Sequence, residues 1–165
     1  MLKGEMVAIL LMTRHPVTQN LVAVLSRRGG FNPETVTNPE KYGCESFPGL
    51  CQLTAAGRIE NRETPEQALL REIDEELGSD MCRHLSRVAS IDKLIETDGR
   101  HIMVTEIEWK YLGLLPHGHF VLVDEENVIE IAKTDPDSKR IGFPDMKKIV
   151  MFKDEREVVM KALDV

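Results

Sequence analysis

Three glutamates stand within five residues of one short segment: Glu72, Glu75 and Glu76. At about 100° per residue, an α-helix gathers these side chains on one arc of its surface. Like charges at this spacing repel one another, and their place toward the helix C-terminus also opposes the helix dipole. The spacing therefore predicts a face that binds a cation, although a solvated acidic surface is the commoner reason for such a run.

The helix that carries these glutamates is predicted from the residues at its two ends. Thr64 is a suitable N-cap, Pro65 suits the first helical position, and Gln67 completes a capping box. Gly78 supplies the residue that ends the helix. Apolar residues recur every four positions between these signals and form a stripe that faces a core: Leu69, Ile73 and Leu77.

The segment GRIENRETPEQALLREIDEELG, residues 57–78, resembles the signature box of the Nudix hydrolases. Each fixed glycine or polar position of that box is filled: Gly57, Glu63, Arg71, Glu72, Glu75, Glu76 and Gly78. Two departures stand beside it. Ser79 replaces an apolar residue, which affects packing after the helix. The run Leu53-Thr54-Ala55-Ala56-Gly57 replaces the frequent Pro-Gly-Gly, which alters the loop before the helix, where Gly57 is expected to meet a need for positive φ.

The resemblance implies hydrolysis of a diphosphate linked to another group X, by attack of water at phosphorus. It implies Mg²⁺ as the cofactor, with Mn²⁺ as an alternative, and hard cations of this kind prefer oxygen ligands. By position in the box, Glu72 is a ligand or the general base, and Glu75 and Glu76 are ligands. Ala56 offers its backbone carbonyl to the metal.

Further candidates lie around these carboxylates. Arg71, counted with the catalytic group, and Glu63 are expected to orient the loop and the helix. His119 belongs to a His-Gly-His turn, at a place where many relatives carry an acid or a histidine that assists the metal or the attacking water. Glu106 and Glu108 share one face of a strand and are alternative sources of an extra carboxylate.

The expected substrate contacts come from residues before the helix. Arg27 and Arg28 are candidates for binding phosphate, and Gly57 is placed with them at the substrate. A long polar stretch, residues 29–46, is expected to border the pocket. Aromatic residues in or beside this stretch are candidates for stacking on a base: Phe31, Tyr42 and Phe47.

The pattern along the chain predicts an α/β (α+β) protein. At 165 residues and 42% hydrophobic, it suits a single domain over 1–165. Apolar runs rich in β-branched residues predict strands at 6–13, 20–26, 87–96, 101–115, 120–123 and 148–152. The first two form a hairpin, and the Trp109 side of 101–115 is the expected core face. A final helix, 155–163, is expected to be capped by Asp154. The resemblance implies a three-layer α/β/α sandwich with a mixed sheet.

Charge and composition bound the partners and the compartment. The net charge of −7 disfavours duplex nucleic acid as a partner. It fits a small diphosphate substrate, expected to be a nucleotide, whose charge a metal ion offsets. The chain has no apolar segment of membrane-spanning length and no evident signal peptide, so we expect a cytoplasmic protein without membrane contact. Three cysteines without a CxxC pair, Cys44, Cys51 and Cys82, disfavour a disulfide framework or a zinc site. A homodimer is left open.

Two other functions are weighed against hydrolysis. A non-catalytic Nudix-like domain that senses a nucleotide is expected to lose the acids of the box, and this chain keeps them. An isomerase of the isopentenyl diphosphate type shares the fold but uses a catalytic cysteine and glutamate, for which Cys44 or Cys51 is available. Residues that mark particular subfamilies are missing after the box, so nucleoside triphosphates, nucleotide sugars and related diphosphates all stay open.

Overall fold

The computed structural model describes residues 5–28, 49–88, 94–97, 99–116, 120–128, 131–134 and 149–164. Within these ranges the strands are β1 (Met6–Arg14), β2 (Leu21–Arg27), β3 (Cys51–Gln52), β4 (Ala55–Arg58), β5 (Leu94–Thr97), β6 (Arg100–Glu106), β7 (Phe120–Asp124), β8 (Ala132–Thr134) and β9 (Val150–Phe152). The α-helices are α1 (Pro65–Leu77), α2 (Ser79–Val88) and α3 (Lys153–Ala162), and a 3₁₀ helix covers Trp109–Leu114.

The described strands form one mixed sheet. Its main path runs β5-β6-β1-β2-β3-β9-β8, while β4 pairs with β1 and β7 pairs with β2. The predicted hairpin of β1 and β2 is confirmed as an antiparallel pair. Strand β1 is also antiparallel to β4 and parallel to β6. It therefore lies at the centre of the sheet, and its pairing sets the register of both strands.

Helices cover both faces of this sheet. Alternate residues of β1 enter two separate apolar clusters, as the period of a strand requires. Ala8, Leu10 and Met12 pack in the cluster that includes Val159 of α3. The opposite cluster joins the remaining apolar residues of β1 to α1 and α2: Val7, Ile9, Leu11, Leu69, Ile73, Leu77, Met81 and Leu85. The predicted three-layer sandwich with a mixed sheet is confirmed.

Helix α1 begins and ends where the sequence predicts. The amide of Gln67 donates to Thr64 Oγ1 at 3.2 Å, and the amide of Thr64 donates to Gln67 Oε1 at 2.9 Å, which completes the capping box. Gly78 has φ +89°, a backbone angle that favours glycine. The glutamates of this helix are therefore held on a rigid element with a defined start.

The segment after α1 differs from the prediction. A second helix, α2, follows Gly78 directly, and of the strand expected at 87–96 the described residues contain β5, Leu94–Thr97. Met81 and Leu85 bury one side of α2 against the sheet at helical spacing, with polar residues on its other sides. The strand expectation was wrong at Arg87 and Val88, which end α2, and right at Leu94–Thr97.

The long strand expected at 101–115 also ends early. Strand β6 stops at Glu106, and the chain turns into the 3₁₀ helix that contains Trp109. The expected core face is buried at Met103, but Ile102 on the opposite face is buried too, in the other apolar cluster. A strand covered on both faces loses the alternation on which that prediction depended.

The last helix starts slightly earlier than expected. Phe152 occupies the N-cap position of α3 without a capping hydrogen bond from its side chain, and Asp154 lies inside the first turn. Asp154 therefore is not the cap that the sequence predicted. Among the described residues, no helix has the length and apolar character needed to cross a membrane.

Candidate active site

The segment before Gly57 is a strand, not an irregular loop. Ala56 of β4 pairs with Ala8 of β1. The buried Thr54 fixes the start of β4, because its Oγ1 donates to the Val24 carbonyl at 2.6 Å and accepts from the Leu11 amide at 2.8 Å. Strand pairing and the Thr54 side chain therefore fix the backbone before Gly57, where many relatives have Pro-Gly-Gly.

Gly57 is needed for its lack of a side chain. Its φ is not among the positive values of the described glycines, so the expectation of positive φ was wrong. A Cβ at Gly57 would instead overlap the carboxyl group of Glu72. The Glu72 side chain is only 12% exposed, and burial raises the pKa of its carboxyl, which the hydrogen bond from Arg71 opposes. Gly57 and Glu72 thus share one small space between β4 and α1.

Arg71 joins the helix to the turn before it. Its Nη1 donates to Glu72 Oε1 at 2.6 Å, its Nε donates to Glu63 Oε1 at 2.7 Å, and its Nη2 donates to the Arg58 carbonyl at 2.9 Å. Glu75 Oε2 lies 3.5 Å from Nη1. The hydrogen bond from Arg71 lowers the pKa of Glu63. One guanidinium therefore orients two carboxylates by paired, charge-assisted bonds.

The other two glutamates of the cluster, Glu75 and Glu76, are exposed. The side chain of Glu75 is 58% exposed. Glu76 is exposed overall, yet its carboxyl lies against β4, where Oε2 accepts a hydrogen bond from the Ala56 amide at 3.2 Å. Removal of this carboxyl from water, with added repulsion from Glu72 and Glu75, raises the pKa of Glu76 to about 7. We call the surface formed by Glu72, Glu75 and Glu76 the carboxylate face.

The donor set of the carboxylate face fits a hard divalent cation. Its oxygen ligands are of the type that Mg²⁺ and Mn²⁺ bind, and the space left by the missing Cβ of Gly57 admits a carboxyl group beside the backbone of β4. No group of three acidic, histidine or cysteine side chains converges on one point in the described ranges. In this structure Glu72 is bonded to Arg71 and Glu76 to the Ala56 amide.

A cavity of about 140 Å³ adjoins the carboxylate face at Ala56. We call it the Arg28 cavity; it is lined by Met6, Val7, Ala8, Arg28, Gln52, Leu53, Ala56, Arg100, Ile102, Phe152 and Glu155. An apolar cavity of roughly 150 Å³ is large enough for one benzene molecule, so this space suits an aromatic ring. Because Ala56 borders the cavity and also binds Glu76, a ligand in the cavity lies next to the carboxylate face.

The two arginines predicted to contact phosphate occupy different places. Arg27 is 9% exposed, whereas Arg28 lines the cavity. Arg28 Nε donates to Gln52 Oε1 at 3.2 Å, and its guanidinium carbon lies 5.9 Å from the centre of the Phe152 ring. Of the pair, only Arg28 is brought next to the cavity that adjoins the carboxylates.

The alternative carboxylates, Glu106 at the end of β6 and Glu108 just after it, are not brought to the site. Glu106 pairs with Arg14 at 3.3 Å, and Glu108 pairs with Lys110 at 3.4 Å. Glu106 stands opposite Met12 of β1. Met12 is four residues beyond Ala8, which pairs with Ala56 of β4, and four residues span about 13 Å along a strand. The other candidates lie outside the described residues: His119, Phe31, Tyr42, Phe47 and Cys44.

Four residues of the cavity were missed by the sequence analysis: Gln52, Arg100, Phe152 and Glu155. They belong to β3, β6, β9 and α3, which the sheet brings together across more than a hundred positions of sequence. No spacing rule links such residues. The only local signal was Phe152 itself, an aromatic residue in a chain with few of them.

Comparison with known proteins agrees with this fold. The family model for the NUDIX domain matches residues 11–154. The chain belongs to this family, and the recognition of a Nudix hydrolase from the box is thereby confirmed. The 8-oxo-dGTP diphosphatase of Proteus vulgaris is 41% identical over 73 residues, which is 41% of this chain and 54% of that protein. The match therefore spans about half the length of this curated relative.

Solved structures show the same fold at low identity. A MutT/nudix family protein from Enterococcus faecalis has a TM-score of 0.55 at 16% identity, covering 99% of this chain and 62% of that one. The NUDIX domain of Shewanella oneidensis NrtR, complexed with ADP ribose, has a TM-score of 0.53 at 16% identity, covering 98% and 88%. A mutT/nudix family protein from Listeria innocua has a TM-score of 0.51 at 16% identity, covering 77% and 82%.

Proposed function

We propose that the protein is a divalent-metal-dependent pyrophosphohydrolase that cleaves a nucleoside diphosphate linked to another group X. The observation that carries this proposal is the seating of the carboxylate face on β4, with Glu72 against Gly57 and Glu76 on the amide of Ala56. The strand that orients these carboxylates also borders a cavity of the size of an aromatic ring. Acid groups for phosphate chemistry and space for a base therefore adjoin each other.

The relatives support a nucleotide substrate. One of them is named for its action on 8-oxo-dGTP, a nucleoside triphosphate, and the NrtR domain was crystallised with ADP ribose, a nucleoside diphosphate linked to a sugar. Both molecules belong to the substrate class proposed here. Among its members we put nucleoside triphosphates first, since the relative named for one shares the higher sequence identity.

In this proposal the base occupies the Arg28 cavity and the phosphates lie across β4 toward α1. Glu75, Glu76 and the carbonyl of Ala56 would hold Mg²⁺ or Mn²⁺, and Glu72 is proposed as the general base. A bound metal of this kind offsets phosphate charge and lowers the pKa of water. The oxygen of a water molecule forms a bond to phosphorus, the bridging P–O bond breaks, and the departing phosphate keeps the bonding electron pair.

The protein supplies the proton acceptor and the alignment. Glu72 accepts the proton that water loses, and its burial favours uptake of that proton because the pKa of its carboxyl is raised. Arg71 holds Glu72 and Glu63 in place. Gly57 keeps the backbone close enough for Glu72 to pack against it. His119 stays a candidate for assisting the attacking water, tested by its replacement with alanine.

The two alternative functions are less well supported. The isomerase needs a reactive thiol, but Cys51 has no exposed surface and burial raises the pKa of its thiol, which disfavours the thiolate. A sensor needs only to bind a nucleotide. It does not require a buried glutamate that is held in place by Arg71, which itself is held by Glu63. The cytoplasmic location, the avoidance of duplex nucleic acid and a homodimer stay predictions, the last of them open to light scattering on the purified protein.

The proposal is tested by a substrate screen with a matched pair of variants. Nucleoside triphosphates, 8-oxo-dGTP, ADP-ribose and nucleotide sugars are incubated with Mg²⁺, with Mn²⁺ or with a chelator, and released phosphate and nucleoside monophosphate are measured. We expect metal-dependent release that Glu76→Gln greatly lowers. Asp74→Asn, an exposed acid on the same helix, is the control and should keep full activity. No turnover of any compound, or equal rates for Glu76→Gln and the wild type, would refute the proposal.

A further inference from the structure

The Arg28 cavity contains a carboxyl group that the proposed hydrolysis does not use. Glu155, in the first turn of α3, lines the cavity and is half-buried. Its Oε1 accepts a hydrogen bond from the Leu53 amide at 3.4 Å. Burial raises the pKa of this carboxyl, against the effects of the Leu53 amide, Arg100 and Arg28. A carboxyl group removed from water in this way gains most from a ligand that donates to it.

A hydrogen-bond donor stands beside this acceptor. Gln52 lines the same cavity, and its Oε1 already accepts from Arg28 Nε at 3.2 Å. The amide NH₂ of Gln52 is then the part of that side chain with donors for a ligand. Gln52 directly precedes Leu53, whose amide holds Glu155. The lining of the cavity therefore includes both a donor, the Gln52 amide, and an acceptor, the Glu155 carboxyl.

Among the common bases, guanine has the complementary edge. Its O6 is an acceptor, and next to it N1–H and N2–H are two parallel donors. A carboxylate accepts two parallel N–H groups in the same forked geometry that it uses with arginine. Adenine places the lone pair of N1 toward such a carboxylate, which is repulsive. The half-buried ring of Phe152, with the Arg28 guanidinium over it, is also part of the wall.

We propose that Glu155 is a specificity-determining residue, and that its carboxylate selects guanine nucleotides by accepting the N1–H and N2–H donors of the base while Gln52 donates to O6. This inference rests on the proposed function for the location of the base in the Arg28 cavity. It concerns recognition alone, so it can be tested by binding as well as by turnover.

The first experiment uses the wild-type protein. Calorimetry without metal measures binding of GMP, IMP and AMP, and kcat/KM is measured for GTP, ITP and ATP with Mg²⁺. We expect guanine to be preferred over adenine by about 10- to 100-fold, the discrimination typical of one good two-bond contact. The inosine nucleotides should fall between them, because hypoxanthine keeps N1–H and lacks the 2-amino group.

The second experiment uses Glu155→Gln with Glu157→Gln as control. The glutamine keeps an oxygen for the Leu53 amide, so we expect the variant to fold, as checked by circular dichroism and melting temperature. Its amide offers one acceptor and one donor, a pattern that suits adenine, and the ratio of guanine to adenine should fall by about 10-fold or more. Glu157, exposed on the same helix, should leave the ratio unchanged on replacement.

The outcomes distinguish a role of Glu155 in base recognition from a purely structural role. Equal losses toward guanine and adenine nucleotides in Glu155→Gln indicate a structural role and overturn the inference. Equal affinity of the wild type for GMP and AMP, or no binding of either, also overturns it, whether or not the variant folds. Guanine-selective binding without hydrolysis would refute the proposed function and leave this inference standing. Hydrolysis without a base preference would do the reverse.

Discussion

The carboxylate face and the Arg28 cavity adjoin at Ala56 but are built in different ways. The carboxylate face comes from one helix, with Glu72, Glu75 and Glu76 within five residues and Gly57 on the strand before it. The cavity takes its polar and aromatic side chains from β3, β6, β9, α3 and the residue after β2. The first is held by local bonds around Arg71, and the second by the pairing order of the sheet.

The two regions are expected to have different roles, the carboxylate face in catalysis and the Arg28 cavity in the choice of base. A metal-binding face requires fixed spacing between like groups, which a helix supplies directly. A cavity for a base requires a shaped space, which only packed elements supply. We therefore expect changes on the carboxylate face to lower turnover of all substrates alike. Changes in the cavity should alter the choice among bases, as proposed above for Glu155.

The largest effect is expected for Glu72→Gln. Loss of the buried carboxylate removes the proposed proton acceptor, and general-base groups contribute about 10²- to 10⁴-fold to rate. We expect kcat/KM to fall within that range for every substrate that is cleaved, measured by release of nucleoside monophosphate. Asp74→Asn again serves as the control. A loss confined to one base would break the distinction drawn between the two regions.

The next largest effect is expected for Gly57→Ala. The new Cβ would overlap the Glu72 carboxyl and push it from its place, and a displacement of about 1 Å at a reacting group costs roughly 10²-fold in rate. Gly113→Ala is a matched control, since a Cβ there meets no atom within 4 Å. Turnover measured for both variants should fall only in the first. Wild-type activity in Gly57→Ala would show that the contact between β4 and Glu72 has no role in catalysis.

A smaller effect is expected for Arg71→Lys. Lysine keeps the charge but cannot form the forked bonds that tie Arg71 to Glu63 and Glu72. Supporting residues of this kind typically contribute 10- to 100-fold to metal affinity or activity. We expect kcat to fall and the metal concentration for half-maximal rate to rise.

The control for this variant is Arg83→Lys, an exposed arginine on α2 that pairs with Asp80. It should leave both the rate and the metal requirement unchanged. A purely structural role for Arg71 would instead lower the melting temperature while the surviving enzyme keeps its normal metal requirement.

The smallest effect is on stability and follows from the raised pKa of Glu76. The pKa is about 7 in the folded protein against 4.5 as the ordinary value, so the metal-free folded state binds this proton more tightly. The stabilisation is complete below pH 4.5 and is lost as the pH rises through about 7. Thermal unfolding in chelator should show this loss in the wild type and a smaller loss in Glu76→Gln, because burial also raises the pKa of Glu72 and Glu155.

Metal should act on the same group in the opposite sense. Ligands must be deprotonated to bind, so the rise in melting temperature caused by Mg²⁺ or Mn²⁺ is expected to grow from pH 5 to pH 8. The Asp74→Asn protein should follow the wild type in both series. A metal effect that is the same at every pH would argue against Glu76 as a ligand.

The fold was predictable from sequence where a local rule applied. The hairpin of β1 and β2, the capping box of α1 and its buried stripe all follow from patterns of fewer than about ten residues. The errors fall where tertiary contacts decide. Strand β6 is buried on both faces and so lost its alternation, and α2, which buries Met81 and Leu85, was not predicted.

By itself the sequence determined the positions of Glu72, Glu75 and Glu76 on one helix face, because helix geometry follows from local spacing. Tertiary structure alone decided that a Cβ at Gly57 would displace the Glu72 carboxyl, since Glu72 comes from a different element. It also decided that Gln52, Phe152 and Glu155 share a cavity, because strand order, not sequence distance, determines which side chains meet.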